Sequence, residues 1–427
     1  MYSYNHESFT VSNKVYGVVY IIPFLILLFV FSVALVKKGS SATAPGQLAF
    51  LSNPINLIIL GSAYMMAAWL FFINAQVFIA SIKRNWFYVA SLFFVLSTAV
   101  VSGYPVKVVI NCFHFVGMTL VIVAAVYYFN DNTQKLFHVL SFYAFAIIAA
   151  SILTAVFFPS IGIHHRLQGR WMGLTSNPNS LGDVAYIAIW ISLFGIYFTT
   201  NRLITIMNFL TIIGSCICLY KADCITSSIC AFFVLSAGPT FVSMEKNAAI
   251  KIFLKIFFLL LFFVLFLLIL YAFFPERLGI DQVLNVVGRD ATLSGRTSLW
   301  VKGFLAFKMR PVWGWGYDSN MTILSKSIIH YGQFHNGYLN VAVAGGSIGF
   351  TFLLILIIKQ INLCKKLLIE SFELSAAFLV LLLSIMLHNV TEASFFNPTN
   401  IIWLMFVFSL FYLDYQDAAK SSRLHKM

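Results

Sequence analysis

The sequence predicts an all-α polytopic membrane protein, and two observations support that prediction. Of the 427 residues, 60% are hydrophobic and only 10% are charged, whereas a soluble domain is about 25% charged. Many apolar stretches also reach the roughly 20 residues that an α-helix needs to cross a bilayer. We expect a single membrane domain over residues 1–427, with about 12 transmembrane helices and one long outward-facing loop that contains short interfacial helices.

The apolar stretches give the order of the spans along the chain. The first stretch is long and lacks a small-residue cleavage site, so we interpret it as a span and not as a removed signal peptide. The second stretch extends towards Ile82, and the 86–129 stretch divides in more than one way, so ten to thirteen spans fit the pattern. The preferred spans are residues 15–36, 54–75, 86–104, 107–129, 136–158, 180–199, 203–220, 224–242, 250–274, 335–358, 373–390 and 398–414.

The basic residues predict the orientation of these spans. With both termini in the cytoplasm, fourteen of the 27 Lys and Arg residues fall on the cytoplasmic side, six fall in short outer loops and seven in the loop 275–334. That distribution satisfies the positive-inside rule, in which long loops count weakly. The loop 275–334 is therefore expected to face outward.

The loop 275–334 is too long to be a simple connection, and loops of this length usually have a function. Its segment 296–309 places Leu299, Trp300 and Phe304 opposite Lys302, a pattern that favours a helix lying at the membrane interface. The following segment 311–317 is predicted to form a turn with aromatic walls. Its rings fit two functions equally well, stacking on sugar faces or anchoring at the interface.

Composition argues against two classes of function. The net charge of +13 is spread over many loops without an arginine-rich arm, so we do not expect binding to nucleic acid. No paired acidic motif is present, and the adjacent His164 and His165 point apart in most conformations, so we expect neither a metal site nor a cofactor. The six cysteines are expected to be small buried hydrophobic residues.

Three groups of polar residues fall on the predicted outer side, and together they indicate a reaction. They lie in residues 164–179, 294–300 and 335–336. Arg170 and Arg296 are suited to bind a diphosphate, and His335 is suited to take a proton from a hydroxyl. Each residue also has an ordinary structural explanation: the arginines as loop ion pairs or interfacial cations, and His335 as the residue that begins a helix.

His335 also begins a row of small residues. His335, Leu339, Ala342, Gly346 and Gly349 follow the spacing of one helix face. Gly346 and Gly349 are therefore expected to let another backbone approach the helix closely.

At these residues the chain resembles the O-antigen ligase and polymerase superfamily, bacterial membrane enzymes that move glycans from undecaprenyl diphosphate. His335-Asn336, nine further residues, Gly346, two residues and Gly349 fit the His-Asn-x9-Gly-x-x-Gly signature of that family. Three other segments resemble it in order: Arg170 with Gly173 and 177–179, the loop motifs 294–300 and 311–317, and 390–394 near the last span. Where many relatives have Ser-Arg before the span at 224, this chain has Lys221-Ala222-Asp223, which puts the role of that arginine in doubt.

The resemblance implies roles for individual residues. His335 is implied to be the base that deprotonates the acceptor hydroxyl, and Arg170 and Arg296 to hold the diphosphate and stabilise its departing charge. Asn336 is expected to orient His335 by a hydrogen bond, and Lys221 to supply charge. Glu392 and Asp318 are weaker candidates, as partners for an arginine or for sugar hydroxyls.

The resemblance implies a metal-independent, inverting glycosyltransferase without cofactor, located in the bacterial inner membrane with its active site facing the periplasm. The expected partners are an undecaprenyl-diphosphate-linked glycan, an acceptor glycan, membrane lipids and a chain-length regulator. A repeat-unit polymerase is favoured over a ligase that transfers to lipid A-core. A lipid-linked oligosaccharide flippase is a more remote alternative, because the sequence shows neither two similar halves nor ionisable residues expected to be buried within the spans.

Overall fold

The computed structural model describes residues 13–33, 54–130, 132–164, 169–243, 296–328, 332–368 and 371–424. Apart from one two-stranded hairpin and a short 3₁₀ turn at Thr98–Val100, the elements of these residues are α-helices. The hairpin pairs β1 (Ile163–His164) antiparallel with β2 (Arg170–Trp171). The helices are α1 (Asn13–Ser32), α2 (Pro54–Ile73), α3 (Ala75–Arg84), α4 (Trp86–Ser97), α5 (Pro105–Phe129), α6 (Thr133–Phe157), α7 (Pro159–Gly162), α8 (Pro178–Phe198), α9 (Arg202–Ala222), α10 (Ile225–Ser243), α11 (Arg296–Met309), α12 (Met321–Ser325), α13 (Gly337–Leu367), α14 (Phe372–Thr391) and α15 (Ile401–Leu424).

The prediction of an all-α multi-pass membrane protein is confirmed. Eight of the described helices are long and apolar enough to cross a bilayer, and three shorter apolar helices coincide with the predicted spans at 15–36, 86–104 and 224–242. The predicted span 250–274 lies outside the described residues, as does the loop segment 275–295. The count of 12 spans and the outward direction of the loop therefore stay predictions.

The helices α8, α14 and α15 form the centre of the bundle. Most of their side chains are buried, including Trp190 of α8 and Trp403 of α15, which are fully buried. The Trp190 indole donates a hydrogen bond to the Ala377 carbonyl of α14 at 2.8 Å, so its polar N–H is satisfied inside the apolar core. By contrast, α9 exposes Leu203, Phe209 and Ile213 along one side, as a helix in contact with lipid does.

The helix predicted over 335–358 differs from expectation at Gly346. Two helical segments meet there, because Gly346 has a φ of +62° and a ψ of −160°. In an uninterrupted helix the Ser347 and Ile348 amides would donate to the Val343 and Ala344 carbonyls. They donate instead to Pro311 and Val312, at 2.7 and 3.4 Å. The predicted row of small residues is therefore bent at its fourth member.

The segment 311–316 replaces the hydrogen bonds that this break removes. The Trp315 amide donates to the Val343 carbonyl at 3.0 Å, and the Gly316 amide donates to the Ala344 carbonyl at 2.8 Å. A Cβ atom on Gly346 would lie 2.3 Å from the Val312 carbonyl oxygen, so only glycine allows this approach. Thus the backbone that meets Gly346 belongs to the long loop and not to another helix.

Most of the described aromatic residues of this loop are buried, so they fit neither stacking on sugars nor anchoring at the interface. Helix α11 has the predicted bounds, and its Leu299 packs in a small apolar cluster with Trp315 and Phe334. The indole of the buried Trp300 donates to the Phe334 carbonyl at 3.0 Å. The Trp315 indole donates to the Ala306 carbonyl at 2.8 Å. These buried rings hold the loop together and are not available for stacking on sugars, whereas Trp313 is exposed.

A second polar cluster lies at the far end of the bundle, which we predict to be cytoplasmic. The Asp414 carboxylate of α15 pairs with Arg84 of α3 at 2.7 Å and with Lys359 of α13 at 3.4 Å. Lys359 also donates to the Asn85 side chain at 2.8 Å. The helices α3, α13 and α15 are thereby joined at this end of the bundle. The candidate functional residues described below lie at the opposite end.

We predict that Gly346→Ala destabilises the protein. An alanine at a φ of +62° is strained and would meet the Val312 backbone, a cost of at least about 1–3 kcal/mol. The melting temperature in detergent should fall accordingly. Gly61→Ala is the matched control, because nothing lies within 4 Å of its added Cβ. Equal melting temperatures of the two variants would contradict the prediction.

Candidate active site

A cavity of about 390 Å³ opens at the end of the bundle where α1 and α14 end and α8, α13 and α15 begin. Its wall is rich in amide and hydroxyl side chains, with two carboxyl and two imidazole groups among them. Those four are Asp183, His335, His388 and Glu392. The polar side chains beside them include Asn111, Ser176, Asn179, Ser180, Asn320, Gln333, Asn340 and Asn400.

His335 lies immediately before α13, in the left-handed backbone region with a φ of +50°. Such a conformation costs a residue other than glycine about 1–3 kcal/mol and is found mostly at functional sites. The side chain is 23% exposed, and its Nδ1 atom lies 3.1 Å from Glu392 Oε2. The side-chain amide of Gln333 lies 3.3 Å from the same Nδ1 atom, and when Nδ1 carries a proton the amide oxygen is the atom that can accept from it.

The Glu392 carboxylate, directly after α14, connects the long loop to the bundle. Its Oε1 accepts a hydrogen bond from Arg296 at 2.8 Å, and its Oε2 lies beside His335. Burial alone would raise the pKa of Glu392, but the hydrogen bond from His335 and the electrostatic effects of Arg296, His335 and His388 outweigh burial and lower the pKa below 4.5. The group is therefore ionised at neutral pH.

This ionisation fixes the tautomer of His335. A carboxylate can only accept hydrogen bonds, so the proton between the two groups must lie on Nδ1 of the imidazole. In the neutral ring, Nε2 then carries the free lone pair. The geometry thus provides a proton acceptor, held in place through its other nitrogen, in the wall of the cavity.

Asn336 has a different position from the one expected. It caps α13, because its Oδ1 accepts a hydrogen bond from the Leu339 amide at 2.9 Å, and its Nδ2 donates to the Val390 carbonyl at 3.0 Å. Both polar atoms are thus engaged away from the imidazole, and the predicted hydrogen bond to His335 is replaced by these two. Asn336 positions His335 by fixing the start of α13 against the end of α14.

The two predicted arginines lie behind the wall of the cavity. The guanidinium group of Arg296 donates to Glu392 and to the Thr391 carbonyl at 2.5 Å. Arg170 donates to the carbonyls of Ala222 and Asp223 at 2.7 and 2.8 Å and to Asn179, which lines the cavity, at 3.3 Å. The structure therefore groups Arg296 with His335 through Glu392, and places Arg170 at the end of α9.

The remaining predicted residues lie outside the group around His335. Asp318 is buried and accepts hydrogen bonds from Ser102 at 2.7 Å and from the Thr322 hydroxyl. Burial raises the pKa of Asp318, and the hydrogen bonds that it accepts lower the pKa by less. Asp318 joins two loops, and within the described residues it forms no ion pair with an arginine and does not line the cavity. Lys221 is exposed, with its Nζ 5.7 Å from the ring centre of Tyr220. Gly349 packs against Tyr317, and a Cβ atom added to Gly349 would lie 2.7 Å from the Tyr317 hydroxyl oxygen.

Sequence reasoning missed a second imidazole–carboxylate pair. His388 Nε2 lies 2.8 Å from Asp183 Oδ1, and the Ser227 hydroxyl donates to the same oxygen at 3.1 Å. The expectation of no buried ionisable residue within the spans is wrong, because His388 of α14 is only 1% exposed. The available signal was a lone Asp and a lone His, each inside an apolar stretch.

Comparison with known proteins gives two matches. Residues 187–354 match the model of a family described as O-antigen ligase. The predicted resemblance to the O-antigen ligase superfamily is confirmed. A segment of 107 residues is also 33% identical to the exopolysaccharide production protein ExoQ of Rhizobium meliloti (strain 1021). That match covers 22% of this chain and spans only 24% of the relative.

The O-antigen ligase match divides the site. It contains Arg296 and His335 but ends at residue 354, before α14 begins at Phe372. His388 and Glu392 therefore come from outside the matched segment. The matched segment therefore covers Arg296 and His335 but not the carboxylate that contacts both of them.

We predict that acid destabilises the protein partly through Glu392. Its folded-state pKa lies below the usual 4.5, so its stabilising contribution is complete above that pH and is lost as the pH falls through the lower folded pKa. The melting temperature of the wild type should decline below about pH 4.5 more steeply than that of Glu392→Gln. Glu373→Gln, at an exposed residue of α14, is the control and should follow the wild type. Parallel curves for wild type and Glu392→Gln would contradict the assignment.

Proposed function

We propose that this protein is a glycosyltransferase that moves a glycan from an undecaprenyl-diphosphate carrier to an acceptor hydroxyl at the outer leaflet. The observation that carries the proposal is the His335–Glu392 pair in the wall of a cavity lined by amides and hydroxyls. Such side chains are the usual hydrogen-bonding partners of sugar hydroxyls. The matches to O-antigen ligases and to an exopolysaccharide production protein support the same chemistry.

In the proposed reaction His335 acts as general base. Its Nε2 takes the proton of the acceptor hydroxyl while the oxygen attacks the anomeric carbon of the donor sugar. The bond from that carbon to the diphosphate breaks, and its electron pair leaves with the diphosphate. A single displacement of this kind inverts the configuration. Glu392 stabilises the imidazolium that forms, because its carboxylate already accepts the Nδ1 proton.

Arg296 is the proposed cation for the departing diphosphate. Within the described residues, two of its five N–H donors are used by Thr391 and Glu392, which leaves three for phosphate oxygens. Among the same residues Arg170 uses its Nε and Nη2 groups on protein acceptors, which leaves its Nη1 group for the same task. Arg296 is thus the better placed of the two, because it also touches the carboxylate that holds the base.

Polymerase and ligase share this chemistry and differ in the acceptor. We favour the repeat-unit polymerase, since the similarity to an exopolysaccharide production protein agrees with it. Glu392 also lies in the 390–394 segment that resembles exopolysaccharide polymerases. A ligase would transfer the glycan to lipid A-core instead. We place the site on the periplasmic side of the inner membrane, as the distribution of basic residues predicts.

Deletion of the gene distinguishes these alternatives. Loss of a polymerase should leave surface glycans carrying a single repeat unit, whereas loss of a ligase should leave none attached. The measurement is the length distribution of surface glycans on a gel, with the gene restored on a plasmid as the control. Unchanged glycans would contradict both versions. Product formation by purified protein in detergent, where there is no bilayer to cross, would exclude a pure flippase.

We predict that His335→Asn lowers transfer by about 10²- to 10⁴-fold, the usual contribution of a general base. The Asn amide can replace Nδ1–H as the donor to Glu392 but has nothing in the place of Nε2, so the fold is preserved and the base is lost. His335→Ala should be as inactive. His138→Ala is the control, because His138 contacts Thr199 away from the cavity. Near-normal transfer by His335→Asn would remove His335 from the chemistry.

We also predict that Arg296→Lys lowers transfer by about 10- to 100-fold, the value of one or two charge-assisted hydrogen bonds. A single ammonium group cannot reproduce the fork that reaches Thr391, Glu392 and a phosphate together. Arg202→Lys, at an exposed residue that begins α9, is the control and should be fully active. Full activity of Arg296→Lys would show that its charge alone is sufficient.

A further inference from the structure

Asp183 has a fixed carboxylate in the wall of the cavity, and the proposed reaction does not use it. Both of its hydrogen bonds are to Oδ1, from His388 Nε2 at 2.8 Å and from the Ser227 hydroxyl at 3.1 Å. Within the described residues, Oδ2 accepts no hydrogen bond. The side chain is 14% exposed and lines the cavity. One oxygen is thus held by the protein, and the other is left for a ligand.

The Asp183–His388 pair is the reverse of the His335–Glu392 pair. At His335 a buried carboxylate holds an imidazole whose free nitrogen can face a ligand. At Asp183 the roles are exchanged: the buried imidazole of His388, which is 1% exposed, holds a carboxylate whose free oxygen can face a ligand. The His388 ring is fixed in turn by stacking on Tyr186, with ring centres 5.6 Å apart and planes 22° apart. His388 and Ser227 are therefore positioning residues for Asp183.

The surroundings of Asp183 indicate the chemistry of the ligand. The same side of the cavity carries hydroxyl and amide groups at Thr175, Ser176, Asn179 and Ser180. Among the described residues that line the cavity there is no Lys or Arg. A carboxylate in such a place attracts O–H donors and repels phosphates and carboxylates.

We propose that Asp183 binds hydroxyl groups of an uncharged sugar unit and makes this part of the cavity select against acidic sugars such as uronic acids. The inference rests on the proposed glycan transfer and divides its site in two. The diphosphate of the donor lies on the Arg296 side of the site, and the uncharged sugar lies against α8. The carboxylate of Asp183 thus meets the hydroxyl groups of the sugar, and the guanidinium of Arg296 meets the phosphate.

Binding measurements test the selectivity without requiring turnover. The probes are a neutral oligosaccharide cut from the surface glycan of the host and the same oligosaccharide after oxidation of its primary hydroxyls to carboxylates. We expect the wild type to bind the neutral probe at least about tenfold more tightly, the value of one charge-assisted hydrogen bond. Asp183→Asn should reduce this preference to less than about threefold. His335→Asn, which lacks the proposed base, should keep it.

Three results would overturn the inference. They are equal binding of both probes by the wild type, an unchanged preference in Asp183→Asn, and a host glycan with an acidic sugar at every position. None of the three would affect the proposed function, which fails instead if the wild type transfers no glycan. The inference and the function that it rests on can therefore fail separately.

Kinetics test the positioning role of His388. With undecaprenyl-diphosphate-linked repeat units from host membranes as substrate, His388→Leu should raise KM about tenfold with little change in kcat, because it frees the carboxylate to rotate. His388→Gln keeps an N–H near the place of Nε2 and should restore KM to within about threefold of the wild type. A purely structural role would make both variants equally unstable and would not separate KM from kcat.

Ser227→Ala gives a milder test that preserves packing. It removes one of the two donors to Asp183 Oδ1 and should raise KM by about three- to tenfold. Ser228→Ala is the matched control, since the Ser228 hydroxyl bonds only to the Cys224 carbonyl within the described residues, at 2.8 Å. An unchanged KM in both Ser227→Ala and His388→Leu would overturn the role of the pair.

Discussion

The buried Glu392 carboxylate is the group on which the architecture of the site depends. It accepts hydrogen bonds from two residues far from it in sequence, Arg296 and His335. An isolated buried carboxylate would be very costly, and its partners offset that cost only while all three groups stay in place. The end of α14, the start of α11 and the residue before α13 are thereby held at one point. The same contact decides which nitrogen of the imidazole is free.

The end of α14 connects this arrangement to Asp183. His388 lies in the last turn of the helix and Glu392 directly follows the helix, and the Glu392 amide donates to the His388 carbonyl at 3.0 Å. Glu392 contacts Arg296 at the start of α11, and His388 contacts Asp183 of α8. A single buried helix therefore supports both an imidazole and a carboxylate that can face the same ligand. This explains why the end of the bundle is polar although its centre is almost entirely apolar.

Much of this fold follows from the sequence, because long apolar stretches have few alternatives in a bilayer. The bounds of α11 and the pairing of Glu392 with an arginine were also predictable. Asp183 and His388 were not, since each is a single ionisable residue whose partner is distant along the chain. The break at Gly346 was missed because small residues at helical spacing fit an unbroken helix equally well. The loop that completes its hydrogen bonds gives no local sign of where it packs.

The break in α13 has a consequence for the order of assembly. Gly346 lies nine residues after the start of the helix at Gly337, or about 14 Å along its axis at 1.5 Å per residue. Until the segment 311–316 arrives, the Val343 and Ala344 carbonyls and the amides of Ser347 and Ile348 lack partners at that depth. A bilayer penalises such groups heavily. An unbroken helix would satisfy the same four groups by itself, so the break at Gly346 and the docking of the segment 311–316 must form together.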